Sequence, residues 1–184
     1  MSLQEYAWVA MAVLLGAASA CSSGDDSAGA GSAGAGGGAG GTQAPQAVDP
    51  SADTQALWTK LQGYQGWQKF PENTSPKPSG AHMNMYVVTH YNDVVASAMA
   101  SKTLPLPDGS MLVKDNFASQ TDAMPMAITA MSKQGGKWYW VEAMPNGKVI
   151  LAPDGSPLEG HGVTMCTGCH DAAAANDDVL THKF

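Results

Sequence analysis

The sequence predicts an α+β domain, mainly antiparallel β sheet with a few short helices, and three observations predict it. Short runs of alternating residues rich in Val, Thr, Tyr and Trp recur after residue 80, turn signals separate them, and only two stretches carry apolar residues at helical spacing. In order, Ala52 to Tyr64 sets Leu57, Trp58 and Leu61 on one face of a helix, and Trp67 and Phe70 extend the apolar contribution. Pro71, Pro76 and Pro78 keep Pro71 to Gly80 irregular. Met83, Met85, Val87 and Thr89 then alternate with Asn84, Tyr86, Val88 and His90 as a strand does. Asn92 or Asp93 caps a helix running to about Ser101, with Val94, Val95, Ala98 and Met99 as its apolar face. Pro107-Asp108-Gly109 is a turn that leads through Met111, Leu112 and Val113 into Lys114 on a short strand, and Ala123 to Met131 is a further strand. Trp138 to Met144, Pro145-Asn146-Gly147 and Lys148 to Leu151 form a hairpin in which Asn-Gly supplies positive φ.

At 184 residues, the chain has room for one domain, an export segment and a tether. Residues 1–21 read as the export signal: an apolar stretch from Ala7 to Leu15, small residues Gly16 to Ala20, then Cys21. The stretch is too short to span a bilayer. Small residues ending at a cysteine resemble a bacterial lipoprotein signal, in which Cys21 is lipidated, although no Lys or Arg precedes it and Ala18 stands where leucine is preferred. Residues 22–51 are rich in Gly, Ala and Ser and read as a flexible tether, because they lack apolar surface to offset the entropy of ordering. Residues 52–184 form the folded domain. This organisation places the protein in the periplasm or anchored at the outer membrane, in the cell envelope of a bacterium. A net charge of −7, from 9 basic and 16 acidic residues, offers no electrostatic footprint for nucleic acid or an anionic membrane surface. Small molecules and basic proteins are the expected partners.

The chemistry concentrates in Cys166-Thr167-Gly168-Cys169-His170. Two thiols separated by two residues can each add to a vinyl group of one haem, and the adjacent imidazole can then reach the iron. A redox thiol pair belongs at the start of a helix within a βαβ unit, which this pattern lacks, and a four-ligand zinc site needs a second cysteine pair. One covalent haem c is therefore expected, held through Cys166 and Cys169, with His170 as the iron ligand. Only Asp171 to Phe184 follow the motif, and no methionine is among them. A distal methionine would have to come from Met83, Met85, Met111, Met124, Met126, Met131, Met144 or Met165, all of which also suit irregular packing. Five-coordinate iron with an open distal face is the expectation. His82, His90, His161 and His182 read as surface or packing residues, with His182 close enough to the terminus to fray.

Pro107 to Lys114, Lys137-Trp138-Tyr139-Trp140, and Cys166 to His170 followed by Asp177-Asp178-Val179-Leu180-Thr181 resemble the cytochrome P-460 family, which includes the β-type cytochromes c′. The resemblance covers most of the chain from Trp58 onward. It implies a largely β homodimer with a five-coordinate haem near the C-terminus. In the cytochrome P-460 branch, a lysine after the aspartate-glycine turn is cross-linked to the haem, and hydroxylamine is oxidised; Lys114 matches that lysine. A strand directs its side chains out of the sheet, so Lys114 could meet a haem lying on its face, while an exposed edge-strand lysine is the alternative. The same branch uses a distal carboxylate as proton acceptor, for which Glu142 and Glu159 are the candidates. The β-type cytochromes c′ bind diatomic gases without the cross-link. Asp177-Asp178-Val179 departs from the family's usual aspartate-tyrosine-valine. Three functions stay open: an oxidoreductase acting on hydroxylamine or nitric oxide and passing electrons to an exported redox partner, a non-catalytic gas binder, and a methionine-ligated electron carrier.

Overall fold

The computed structural model describes residues 45–80 and 82–184. The export signal, Cys21 and most of the expected tether lie outside the described residues. The described chain is α+β, built on one antiparallel sheet of nine strands: β1 (Ala47–Val48), β2 (Gln68–Lys69), β3 (Lys77–Pro78), β4 (Tyr86–Tyr91), β5 (Met111–Phe117), β6 (Ala127–Gln134), β7 (Lys137–Ala143), β8 (Val149–Ile150) and β9 (Glu159–His161). The strand order is β1-β8-β7-β6-β5-β4-β2, with β3 also on β4 and β9 also on β7. Three helices accompany it: α1 (Ala52–Leu61), α2 (Asp93–Ser101) and α3 (Thr164–His170).

Local chemistry explains most boundaries. Asn92 caps α2 by accepting from the Val95 N–H at 3.2 Å, and Ser51 caps α1 by accepting from the Thr54 N–H at 3.3 Å. In the turn after β7, Gly147 alone takes a positive φ, of 85°. Asn146 does not share it, so the hairpin closes with three loop residues, its Met144 N–H donating to Lys148 at 2.8 Å and its Gly147 N–H to Met144 at 2.9 Å. Two expectations shift. The strand expected from Met83 begins at Tyr86, because His82 and Asn84 adopt left-handed φ values of 53° and 58° that break an extended run. The strand expected over Ala123 to Met131 runs from Ala127 to Gln134. The fold also starts before residue 52, since Ala47 and Val48 pair with Ile150 and Val149 in the stretch expected to be tether.

Alternation assigns the sheet two covered faces. On one, Val113, Ala130, Tyr139, Val141 and Val149 pack with Leu57, Leu61 and Tyr64 from α1 and the turn after it. On the other, Tyr91, Leu112, Met131, Trp138 and Trp140 pack with Val95 and Ala98 of α2, Leu106, Phe70 and Val179 of the C-terminal tail. Cys166 and Val163 join this second cluster, so α3 lies on the same face as α2.

Candidate functional site

Cys166, Cys169 and His170 occupy the last turns of α3, and spacings of three and four residues put them on one side of a helix. No disulfide joins the two cysteines. His170 is buried, its ring edge-on to Trp140 at 4.6 Å between centroids. Its Nδ1–H donates to the carbonyl of Asp178 at 2.6 Å, which fixes the tautomer and leaves Nε2 as the unprotonated atom. The tail that supplies this carbonyl is itself anchored. Trp138 Nε1 donates to the Asp177 carbonyl at 2.9 Å, the Leu106 N–H donates to the Asp177 carboxylate at 2.9 Å, and Lys133 pairs with that carboxylate at 2.5 Å. His182 docks rather than frays: its ring stacks on Phe70 at 5.0 Å and pairs with Glu72 at 3.0 Å.

The sheet face beneath α3 carries the other polar groups. Strand register aligns Thr89 with Lys114, Lys114 with Thr129, and Thr129 with Glu142, giving one row across β4, β5, β6 and β7. The adjacent row is Tyr91, Leu112, Met131 and Trp140, the floor of the apolar cluster that holds Cys166. Lys114 and Glu142 therefore share a face with the motif. Lys114 Nζ donates to His82 Nε2 at 3.2 Å, which adds an imidazole to the group.

These groups sense one another through a poorly hydrated region. Burial brings the Lys114 amine down to about 8, with Glu142 and Cys166 opposing the drop. Burial, then the charges of Lys114 and His170, takes His82 down to about 3. Burial raises Glu142 above the ordinary carboxylate range against the pull of Lys114. Cys166 is pushed up to about 12 by burial and by the Glu142 charge. A site that penalises a bare thiolate at Cys166 suits neutral sulfur there, as in a thiol or thioether. The donor set, two cysteine sulfurs and an imidazole whose Nε2 is unprotonated over an apolar and aromatic floor, thus fits covalent haem. Among the described residues, no group of three or more His, Cys, Asp or Glu is arranged to hold a metal ion by itself.

Other candidate residues fall elsewhere. Glu159 pairs in register with Val141, on the opposite face, and accepts from the Ser51 N–H and hydroxyl at 3.2 and 2.9 Å, where it supports the start of α1. His90 is buried on that face too, where its Nε2–H donates to Asp115 at 3.1 Å and Tyr64 donates to the same carboxylate at 2.6 Å. His161 donates to the Trp138 carbonyl at 2.9 Å. Met124 and Met165 are 70% and 56% exposed, and Met111 packs against the α1 face. Met144 lines a cleft of about 530 Å³ with Trp58 and Ile128, away from the motif. Met131 alone of these lies in the cluster on the motif's face. His82, Trp140 and the Asp178 carbonyl are the site groups to which sequence patterns assigned no role at the site; His82, expected to be a surface or packing residue, meets Lys114 across 32 positions, and no local spacing signals that. No family model matches the chain, and no curated protein matches it.

Proposed function

We propose that the chain is an exported mono-haem c-type cytochrome of the cytochrome P-460 kind, with haem held through Cys166 and Cys169 and by His170. The observation that carries the reading is convergence: a complete Cys-X-X-Cys-His motif on α3, its histidine pre-oriented by Asp178, lies on the sheet face that also presents Lys114 and Glu142. A haem bound there supplies a redox-active iron able to take up hydroxylamine, nitric oxide or carbon monoxide.

The chain's own residues do the rest. His170 offers Nε2 as ligand while Asp178 holds the ring from behind. Glu142, raised by burial, is suited to take a proton from a bound N–H group. Lys114, with its amine brought down to about 8, is more often neutral near neutral pH than an ordinary lysine and is held on the face it shares with the motif. Trp140 and Met131 exclude water from the floor. Export, a lipid anchor on Cys21, a homodimer and an exported redox partner complete the reading.

A second reading, a non-catalytic gas binder of the β-type cytochrome c′ kind, is favoured by one observation: the Lys114 amine is engaged by His82. The ferrous absorption spectrum and the mass of the tryptic haem peptide separate the two. The enzyme reading expects a spectrum far to the red of an ordinary c-type haem and a haem peptide that includes Lys114. A haem peptide containing only Cys166 to His170 overturns it in favour of the gas binder; absence of covalent haem after expression with a haem-attachment system overturns both.

A further inference from the structure

His82 stands in the loop between β3 and β4, folded back over the sheet. The loop is pinned at both ends: Pro78 pairs with Tyr86, the Ser79 N–H donates to Met85 at 2.9 Å, and the Met85 N–H donates to His82 at 3.1 Å. Within this closed turn, His82 and Asn84 hold left-handed φ values of 53° and 58°. Such conformations at residues other than glycine persist only where surrounding structure over-determines them, and they gather at functional sites. The turn delivers the His82 ring to Lys114 Nζ at 3.2 Å. No other hydrogen bond is made by that ring among the described residues.

A charged Lys114 ammonium can only donate, so against it Nε2 is the acceptor and Nδ1 carries the ring proton. The surroundings favour that form. Lys114 and His170 are the cationic or potentially cationic neighbours, and Glu142 and Cys166 face Lys114 from β7 and α3. Lys114 therefore has two acceptors to choose from. His82 is within hydrogen-bond reach, whereas Glu142 lies two strands away along the same row, roughly 10 Å at the backbone.

We propose that His82 is a positioning residue for Lys114, accepting one N–H of its amine so that the remaining face of the nitrogen is presented to the haem bound at Cys166 and Cys169, and keeping the amine from pairing with Glu142. This rests on the reading that haem occupies the face shared by Lys114 and α3. Glutamine at position 82 offers a carbonyl acceptor of similar reach; phenylalanine keeps a ring and offers none.

The test uses mature haem-loaded protein as wild type, His82→Phe, His82→Ala and His82→Gln. The haem peptides are mapped by mass spectrometry, the ferrous spectra are recorded, and Lys114 carbamylation by cyanate is followed over time. With a Lys114–haem link in the wild type, His82→Phe and His82→Ala lower the linked fraction at least about fivefold, the ratio expected from losing one hydrogen bond, and His82→Gln restores most of it. Unchanged linkage and spectrum in both His82→Phe and His82→Ala overturn the inference while leaving the haem reading intact, as does a His82→Gln protein no better than His82→Phe. If the wild type carries no link, the enzyme reading fails and cyanate decides: Lys114 modified about fivefold faster in His82→Phe than in wild type and His82→Gln supports the positioning role, and equal rates overturn it.

Discussion

Replacing Asp177 by alanine is expected to cost this fold about 3–5 kcal/mol, the range for breaking a buried ion pair from one side. The side chains of Lys133 and Asp177 are only 6% and 10% exposed and meet at 2.5 Å. In Asp177→Ala the lysine keeps its position 4.8 Å over the Trp138 ring, which retains part of its stabilisation, but it loses its counter-charge. The Leu106 N–H loses its acceptor as well. The Trp138 indole bond survives, because it ends on the Asp177 backbone carbonyl. Asp177 also sits at φ 52°, which alanine tolerates less well than aspartate, so Asp177→Asn serves as the control that keeps the backbone preference and removes the charge. For a domain of this size, about 3–5 °C of Tm accompanies each kcal/mol, so Asp177→Ala should melt roughly 10–20 °C below wild type. Thermal unfolding followed by circular dichroism measures the shift. Combining Lys133→Met with Asp177→Asn should recover several degrees relative to Asp177→Asn, since no unpaired charge stays buried. A shift under about 3 °C for Asp177→Ala, or no recovery in the double variant, would refute the argument that this pair latches the tail.

Further outcomes follow from the same contacts. Cys166→Ala together with Cys169→Ala should abolish haem that survives acid-acetone extraction, whereas His170→Ala should retain attached haem with altered iron coordination; haem surviving extraction in the double variant contradicts the motif reading unless Lys114 alone holds the ring. Lys114→Ala should shift the ferrous spectrum to that of an ordinary five-coordinate c-type haem and remove hydroxylamine oxidation while gas binding survives; an unchanged spectrum counts against the enzyme. Glu142→Gln should slow hydroxylamine oxidation by roughly 10²- to 10⁴-fold, the range for a positioned proton acceptor, without weakening carbon monoxide binding. His82, depressed to about 3 by burial and by Lys114 and His170, takes no proton in the folded state between that value and its ordinary 6.5, while the unfolded chain does. Stability should accordingly fall as pH drops from 6.5 toward about 3, and urea titrations across that window should show a shallower fall in His82→Gln.

What the sequence made legible is what local chemistry decides. Asn92 caps α2, Gly147 takes the positive φ of the turn after β7, and Cys166 to His170 fall together on α3, so each could be read without a distant partner, although Asn146 does not share the positive φ that Asn-Gly suggests. Lys114 and the two glutamates differ in kind. Alternation shows that a strand residue faces one side, but only register shows which side. Glu142 falls in the row with Lys114 and Thr129, and Glu159, equally plausible by position near the motif, falls opposite because β9 pairs it with Val141. His82 was beyond reach for a further reason. Its neighbours Met83 to Thr89 read as an alternating strand, and the left-handed turn that diverts His82 onto Lys114 is set by tertiary contacts at residues whose identities do not announce it.

The C-terminal tail orients His170 through backbone geometry rather than through a side chain. The group that orients His170 is the Asp178 backbone carbonyl, which any residue supplies. What matters at this position is therefore φ, 62° at Asp178 after 52° at Asp177, which turns the chain so that the carbonyl meets Nδ1. Aspartate accepts the left-handed region more readily than most residues. Its side chain bears a cost, since burial and the neighbouring Asp177 and Asp171 raise its carboxyl. The latch formed by Asp177 with Lys133, Leu106 and Trp138 holds the tail in place against that cost. The position thus constrains backbone conformation more tightly than side-chain identity, and the imidazole beside two cysteines is pre-oriented by a carbonyl that does not depend on which side chain position 178 carries.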